Sequence, residues 1–415
     1  MKRSIRLSAD DLEVGEQNAL DLFYSGIKSK ETRRTFERNL KTFLIEACAD
    51  IFEGDLNIRA QQFVNLAKKD QTKATQIILA YIRKLRERTE LPKSNPDYLN
   101  PSTVPNRIKP IKKLLEMNSL GLSWKRIYAT YPEADNTCQG RGYTLDEIRE
   151  LVNHSDSIVT DFIILASSSG GLRVGAWDNL TWDCFFPIYK IGSEYKIELD
   201  KNEEGTIVCG AMQVYRGTAE EYFALISIEA WEKLMIIRQQ WIQKMKKSPQ
   251  GSDPVILERF SDPKPLTSVA VRRRIENLLT KSQMRAPLTE GKRRYIVPTT
   301  HGFRRFWDKV MMNSQKKRGT LAALAIKERL MGHDGIVRTD KNYFFTDILD
   351  SVPDYLDAMP ELMISEEARL KKKLEDEKLT SQNLLKLNKE KDDALLIVRE
   401  LEAKINRMTR YQRVD

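Results

Sequence analysis

At 415 residues the chain exceeds what one ordinary hydrophobic core accommodates, so two domains plus an appendage is the natural expectation. A 41% hydrophobic share excludes a disordered protein, and a formal net charge of +10 points to a polyanionic partner, nucleic acid ahead of acidic membrane. Charge alone fits a merely soluble basic protein equally well, so motifs must decide. The four cysteines (Cys48, Cys138, Cys184, Cys209) show neither CxxC pairing nor zinc spacing and read as buried thiols of a reducing cytoplasm. The opening Met-Lys-Arg-Ser-Ile-Arg-Leu-Ser lacks the apolar core of a signal peptide, and no run approaches the roughly 18 apolar residues of a membrane span. A cytoplasmic protein without membrane contact is expected.

Residues 1–135 read as helical. Ser29 caps a helix on which Thr32, Phe36, Leu40 and Phe43 recur at helical spacing. A second helix runs from Gln71 to about Glu90, burying Ile77, Ile78, Tyr81, Ile82 and Leu85 and leaving Arg83, Lys84, Arg86 and Arg88 for solvent or phosphate. Pro92, Pro96, Pro101 and Pro105 mark a loop. A third helix follows through Ile108, Ile111, Leu114, Leu115 and Met117. The turn-formers from Tyr131 to Gly142 read as a linker, and Tyr143-Thr-Leu-Asp-Glu opens a capped helix.

The second domain spans 143–364. From Trp182 to Ile228, short alternating pieces around Tyr195, Met212 and Tyr222 predict a small antiparallel sheet, after which helices resume over 227–247 and around 269–279. The fold class is therefore mostly α with one small antiparallel sheet. Beyond residue 365 a Lys/Glu-rich helix carries Leu384, Leu387, Lys391, Ala394, Val398, Leu401, Ile405 and Met408 in steps of three and four. It reads either as a lone solvated helix or as a short coiled coil.

Chemistry concentrates in one frame: Gly171-Leu172-Arg173, Thr300-His301-Gly302-Phe303-Arg304, Met331-Gly332-His333 and Asn342-Tyr343-Phe344. It holds two of the chain's three histidines. Two arginines, two histidines and a phenol suffice to attack a phosphodiester without metal, since guanidinium groups bind the non-bridging oxygens, imidazoles handle protons and the phenol is the nucleophile. Spacing i, i+3 puts His301 and Arg304 on one helix face, with Phe303, Phe306, Trp307 and Val310 on the buried one. Arg305, the rival, projects about 100° away from Arg304. Tyr343 lies ten positions after His333, and its rival Tyr355 falls in step with Ile348, Val352 and Met359 as a core stripe. The third histidine, His154, has no motif around it. The glycines before Arg173 fit no nucleotide-binding fingerprint. Short basic clusters at Arg272-Arg-Arg, Lys292-Arg-Arg and Lys316-Lys-Arg suit backbone phosphate contacts or a solvated face.

The order and local contexts of these four segments resemble the catalytic signature of the tyrosine recombinase (phage integrase) family, in layout similar to archaeal and mobile-element integrases. The resemblance implies a helical, SAM-like core-binding domain over 1–135, a tyrosine-recombinase catalytic domain over 143–364 and a charged helix over 365–415. It implies site-specific cutting and rejoining of double-stranded DNA, independent of ATP, metal and cofactor. The catalytic residues it implies are Arg173, His301, Arg304, His333 and the nucleophile Tyr343, which forms a 3′-phosphotyrosyl intermediate. Self-association follows by the same resemblance, as a tetramer on two DNA sites, with accessory DNA-bending proteins as further partners. Two departures stand out. Ala176 occupies a position usually acidic, with Asp178 the nearest acid. Arg216 stands where the family places a hairpin lysine as general acid; Lys190, Lys196 and Lys201 are alternatives. Type IB topoisomerase chemistry and a non-catalytic DNA-binding protein of the same fold remain as rival readings.

Overall fold

The computed structural model describes residues 18–134, 140–201, 203–259, 264–285, 295–316, 321–333, 348–370 and part of the tail from 374 to 396, except the side chains of 315, 316 and 321–323. It divides into two compact units, one of residues 1–139 with 288–294, the other of 140–287 with 295–415.

The first unit is helical throughout its described residues. Helices α1 (Ala19–Ser25), α2 (Lys30–Lys41), α3 (Leu56–Lys69) and α4 (Gln71–Thr89) start at Asn18, Ser29, Asp55 and Asp70, whose side chains each accept a backbone N–H of the first turn. Helices α5 (Val104–Met117) and α6 (Trp124–Tyr128) complete the bundle. Leu40, Phe43, Phe63, Ile78, Ile82, Ile108 and Leu114 are fully buried in its core. The prolines do less than the sequence suggests. Pro101 opens a 3-10 turn and Pro105 sits in the first turn of α5, where a missing N–H costs nothing.

The second unit is built around α8 (Ile158–Gly170), which is buried along its whole length from Phe162 onward. Before it, α7 (Leu145–Asn153) begins with a reciprocal capping box between Thr144 and Glu147. Four antiparallel strands follow: β1 (Phe185–Ile191), β2 (Glu194–Lys196), β3 (Thr206–Val214) and β4 (Tyr222–Ile226), in the order β2-β1-β3-β4. The unit is thus mostly α with one small sheet. Helix α9 (Ile228–Met245), α11 (His301–Lys316) and α13 (Val352–Leu362) pack on α8, while α10 (Ser268–Lys281) and α12 (Leu321–Leu330) flank the unit.

Two segments differ from their sequence reading. Residues 140–142 are no free linker, because Arg141 N–H donates to the Ile296 carbonyl and a side chain on Gly142 would strike the Arg305–Phe306 backbone. At the other end the packed body continues past residue 364: buried Glu229 accepts the N–H groups of Ile364 and Ser365, both at 2.8 Å, and Ala368 rests on the core. Leu384 and Leu385 beyond it are exposed, while heptad positions 387, 398, 401, 405 and 408 lie outside the described residues. Cys48, Cys184 and Cys209 are buried thiols, and Cys138 lies outside the described residues. Among the described residues no helix is long and apolar enough to cross a membrane.

Candidate active site

Two helix ends create the site. Helix α8 stops at Gly171, whose left-handed φ of 61° places its backbone against the Trp307 ring, where a Cβ would come within 2.7 Å of ring carbon. Helix α12 stops in the same way at Gly332, φ 64°, whose added Cβ would meet Tyr222 at 2.5 Å. Both ends present carbonyl oxygens without helical partners, at the negative pole of a helix dipole. Each receives a guanidinium group.

Arg304 on α11 is only 3% exposed. Its Nη1 donates to Gly171 O at 2.7 Å, and its Nη2 donates to Met331 O at 2.7 Å and meets His333 Nε2 at 3.0 Å. Those bonds use three of a guanidinium's five N–H donors, and the Tyr222 hydroxyl lies within its hydrogen-bonding reach too. Arg173 Nη1 donates to Gly332 O at 3.2 Å. This contact is how Arg173 is held; Ala176 is buried, and Asp178 instead accepts the Ser268 N–H at the start of α10. The Arg304 guanidinium is disfavoured first by burial and then by the charge of Arg173. A pair of cations held together on backbone carbonyls, without a carboxylate between them, is chemically suited to an anion.

His333 stands between Arg304 and Glu328. Nη2 of Arg304 can only donate, so His333 Nε2 accepts and its Nδ1 carries the hydrogen that meets Glu328 Oε2 at 2.5 Å. The tautomer is thereby assigned by its neighbours. Glu328 is locked in turn by Lys327, whose buried ammonium binds Asp308 at 2.7 Å and Glu328 at 3.0 Å. Burial pushes the Glu328 carboxyl up, but the His333 and Lys327 hydrogen bonds prevail and hold it below the usual carboxylate range. His301, on the first turn of α11, opens to the surface at its edge. Partial desolvation, then the charges of Arg305, Arg304 and Arg173, keep its imidazole below the ordinary histidine range, so it is neutral near pH 7.

The structure thus brings Arg173, Arg304 and His333 into one bonded cluster, with His301 in the field of both arginines. Tyr343 lies outside the described residues. Tyr355 is fully buried, its hydroxyl donating to Ser169 O at 3.1 Å. His154 is occupied at the end of α7, its Nδ1 2.9 Å from Glu150 O.

Arg216 is not drawn into the cluster. It lies in the β3–β4 turn, the last hairpin of the sheet rather than the first, and its half-exposed guanidinium is ion-paired with Asp183. The alternative lysines are further removed. Lys190 pairs with Thr206 at the opposite end of β3 from Val214, roughly 25 Å away at strand rise, while Lys196 sits on the far edge strand bound to Glu203 at 2.6 Å. Lys201 follows that edge strand. Two residues that the sequence did not single out stand nearer: Tyr215 and Tyr222, at the two ends of the β3–β4 turn, with ring centroids 6.1 Å apart. Glu328 was missed as well; five positions before His333, it matches no residue-type pattern, although the buried Lys327 beside it is an unusual neighbour.

Of the basic clusters, Arg272 and Arg273 on α10 are exposed; 292–294, 317, 318 and the side chain of Lys316 lie outside the described residues. Among the described residues no group of His, Cys, Asp and Glu could hold a metal ion.

No protein-family model matches the chain, and no curated protein matches it. Solved structures resemble it at low identity. One is the Tn1549 transposon integrase in complex with transposon right end DNA, 13% identical, TM-score 0.43, covering 81% of this chain and 98% of that one. The XerA recombinase is 13% identical at TM-score 0.33, over 77% of this chain and 96% of that one. The XerH site-specific recombinase bound to difH substrate is 12% identical at TM-score 0.37, over 82% and 98%.

Proposed function

We propose that this protein is a DNA strand transferase of the tyrosine-recombinase type, a site-specific recombinase or integrase acting on double-stranded DNA. The observation that carries the reading is the docking of Arg173 and Arg304 on the ends of two helices, with His333 hydrogen-bonded between Arg304 and Glu328. Such an arrangement holds cationic donors rigidly at one point, which is what a phosphorane-like transition state requires. A solvated basic face would need no such docking.

In this reading Tyr343 Oη attacks a backbone phosphorus, the P–O5′ bond breaks, and a 3′-phosphotyrosyl link and a free 5′ hydroxyl result. A 5′ hydroxyl of the partner duplex then attacks the same phosphorus and releases the tyrosine. The ester energy is conserved, so no ATP enters. Arg173 and Arg304 bind the two non-bridging oxygens. His333 Nε2, whose tautomer is set by Glu328, accepts from Arg304. His301, neutral at physiological pH, is suited to take up the Tyr343 proton. The +10 charge and the exposed Arg272 and Arg273 suit phosphate contacts that position DNA without reading its sequence. Assembly as a tetramer on two DNA sites is part of the same proposal.

The test is covalent trapping. The protein is incubated with a randomised duplex library, denatured with detergent, and the protein-linked ends are sequenced. A 3′-linked product with one recovered motif is expected, absent from Tyr343→Phe and retained by Tyr355→Phe. Products linked at random positions, with relaxation of any supercoiled plasmid, would instead indicate a type IB topoisomerase. No covalent product at all would leave a DNA-binding protein.

A further inference from the structure

We propose that the hydroxyl of Tyr215 is the proton donor to the departing 5′ oxygen in strand cutting. This rests on the strand-transfer reading above and supplies the acid that the reading lacks.

The turn from 215 to 221 reads Tyr-Arg-Gly-Thr-Ala-Glu-Glu and contains no lysine. Its arginine is a poor candidate on two grounds. Arg216 is engaged with Asp183, and that hydrogen-bonded carboxylate raises the guanidinium's already high affinity for its protons. Tyr215 is placed differently. Its φ is 56°, a left-handed conformation that a bulky residue adopts only against a cost of order 1–2 kcal/mol. The consequence is positional: the ring is carried over Gly175, two residues after Arg173. A Cβ built on Gly175 would stand 3.0 Å from the Tyr215 hydroxyl oxygen. The glycine makes room for the phenol.

From there an unbroken line of contacts leads into the cluster. The Tyr215 ring lies beside that of Tyr222, the Tyr222 ring packs on Gly332, and the Gly332 carbonyl holds Arg173. The buried Tyr222 hydroxyl lies within reach of Arg304, whose charge and hydrogen bonding both lower its pKa against the upward push of burial. Beside Tyr215 a cleft of about 260 Å³ opens, lined by Gly175, Asp178, Asn179, Gln213 and Arg216.

The electrostatics suit an acid that is consumed and restored. Burial, joined by the charges of Glu220 and Asp178, raises the Tyr215 phenol, so the proton is present at rest, while Arg173 and Arg304 pull the other way and favour the phenolate once it forms. Phenols and lysine ammoniums are ordinarily acids of similar strength, near 10 and 10.4, and guanidiniums weaker by two units or more; burial makes Tyr215 a weaker acid than a free phenol, and the two arginines offset part of that. As the P–O5′ bond breaks, its electron pair passes to O5′, and the Tyr215 O–H proton moves to that oxygen. The phenolate left behind takes a proton back from the attacking 5′ hydroxyl in the rejoining step. No external acid or base is used up.

The test compares two leaving groups on a duplex carrying the motif recovered by covalent trapping. One duplex has the natural scissile phosphate; the other has sulfur in place of the bridging O5′, which departs without protonation. Tyr215→Phe keeps the ring and its packing. It should cleave the oxygen substrate about a hundredfold more slowly than the parent protein and the sulfur substrate at the parent rate, while Arg216→Ala stays within a few-fold on both. Gly175→Ala, which displaces the phenol without removing it, should show the same selective loss to a smaller degree. Equal slowing of Tyr215→Phe on both substrates would reduce Tyr215 to a structural part, and selective sulfur rescue of Arg216→Ala would return the role to Arg216. Failure of the parent protein to cleave either duplex would overturn the strand-transfer reading itself.

Discussion

Arg173 and Gly332 meet at 3.2 Å between Nη1 and the carbonyl oxygen, so the arginine that follows one left-handed glycine is held by a second one. The relationship makes Gly332 more than a helix stop. Gly332→Ala must strain a φ of 64° and force its Cβ into the Tyr222 ring. We expect a loss of about 1–3 kcal/mol of stability, measured by denaturant unfolding, and a drop in cleavage beyond that of an equally destabilised core variant. Unchanged cleavage in the folded fraction would detach Gly332 from the placement of Arg173.

The two arginines predict separable phenotypes. Arg173→Ala and Arg304→Ala should each slow cleavage by roughly a hundredfold or more, the usual cost of one transition-state donor. DNA affinity should change little, because many basic residues share the backbone contacts. Arg304→Ala should also lower stability, since Gly171 O and Met331 O lose a buried charged donor. Arg305→Ala is the matched control and should be mild in cleavage. Near-normal cleavage by either alanine variant removes that arginine from the site.

What the sequence disclosed was periodicity and residue type. The Ser29 cap, the helix from Gln71, the Thr144 start and the burial of Phe303, Phe306 and Trp307 all follow from local patterns that the folded chain keeps. The pairing of Arg173 with the end of a helix 159 positions away could not be read, because the acceptor is a backbone carbonyl that any sequence provides. Glu328 was hidden for a related reason: its meaning lies in the tautomer of His333, which a string of letters does not encode. Tyr215 was overlooked because it lies just past the end of β3, in a turn whose left-handed φ no residue-type pattern announces. Pro105 misled in the other direction, since a proline in the first turn of a helix forfeits no hydrogen bond, and α5 carries Pro110 in its interior as well.

The three histidines make the proton chemistry directly observable. Nitrogen-detected NMR should show His333 as the Nδ1–H tautomer, and Glu328→Ala should scramble it, whereas Glu328→Gln should largely restore it through the amide oxygen. His301 should titrate below the ordinary histidine midpoint of about 6.5, and Arg305→Ala should move it upward by removing a cationic neighbour. The linkage follows in sign: a histidine whose folded pKa is depressed contributes stability that is present above the unfolded pKa and is lost as pH falls below it. A midpoint above 6.5 for His301 would contradict the repulsive field of the arginines.

Metal dependence is a further check on the same cluster. Two guanidiniums on carbonyl anchors supply the positive charge that phosphoryl-transfer enzymes otherwise recruit as divalent cations. Covalent complex formation should therefore persist in excess EDTA at the same rate. Strict dependence of the chemical step on Mg²⁺ or Mn²⁺ would contradict the scheme at its centre.

The tail supplies the last test. Ser365 and Ala368 are tied to the second unit, so a truncation meant to spare the catalytic body must begin after residue 370. Leu384, Lys391 and Ala394, the heptad positions among the described residues there, are all exposed, and apolar side chains exposed on a charged helix gain by pairing with another copy. The lysine at one seam position and the short repeat keep such pairing weak, suited to gathering protomers on two duplexes rather than to a permanent dimer. Deleting 371–415 should leave covalent attachment at a single site intact and reduce recombination between two sites, measured on a plasmid carrying both. Loss of single-site attachment on truncation, with the remaining chain folded by circular dichroism, would show that the tail serves the catalytic body instead of assembly.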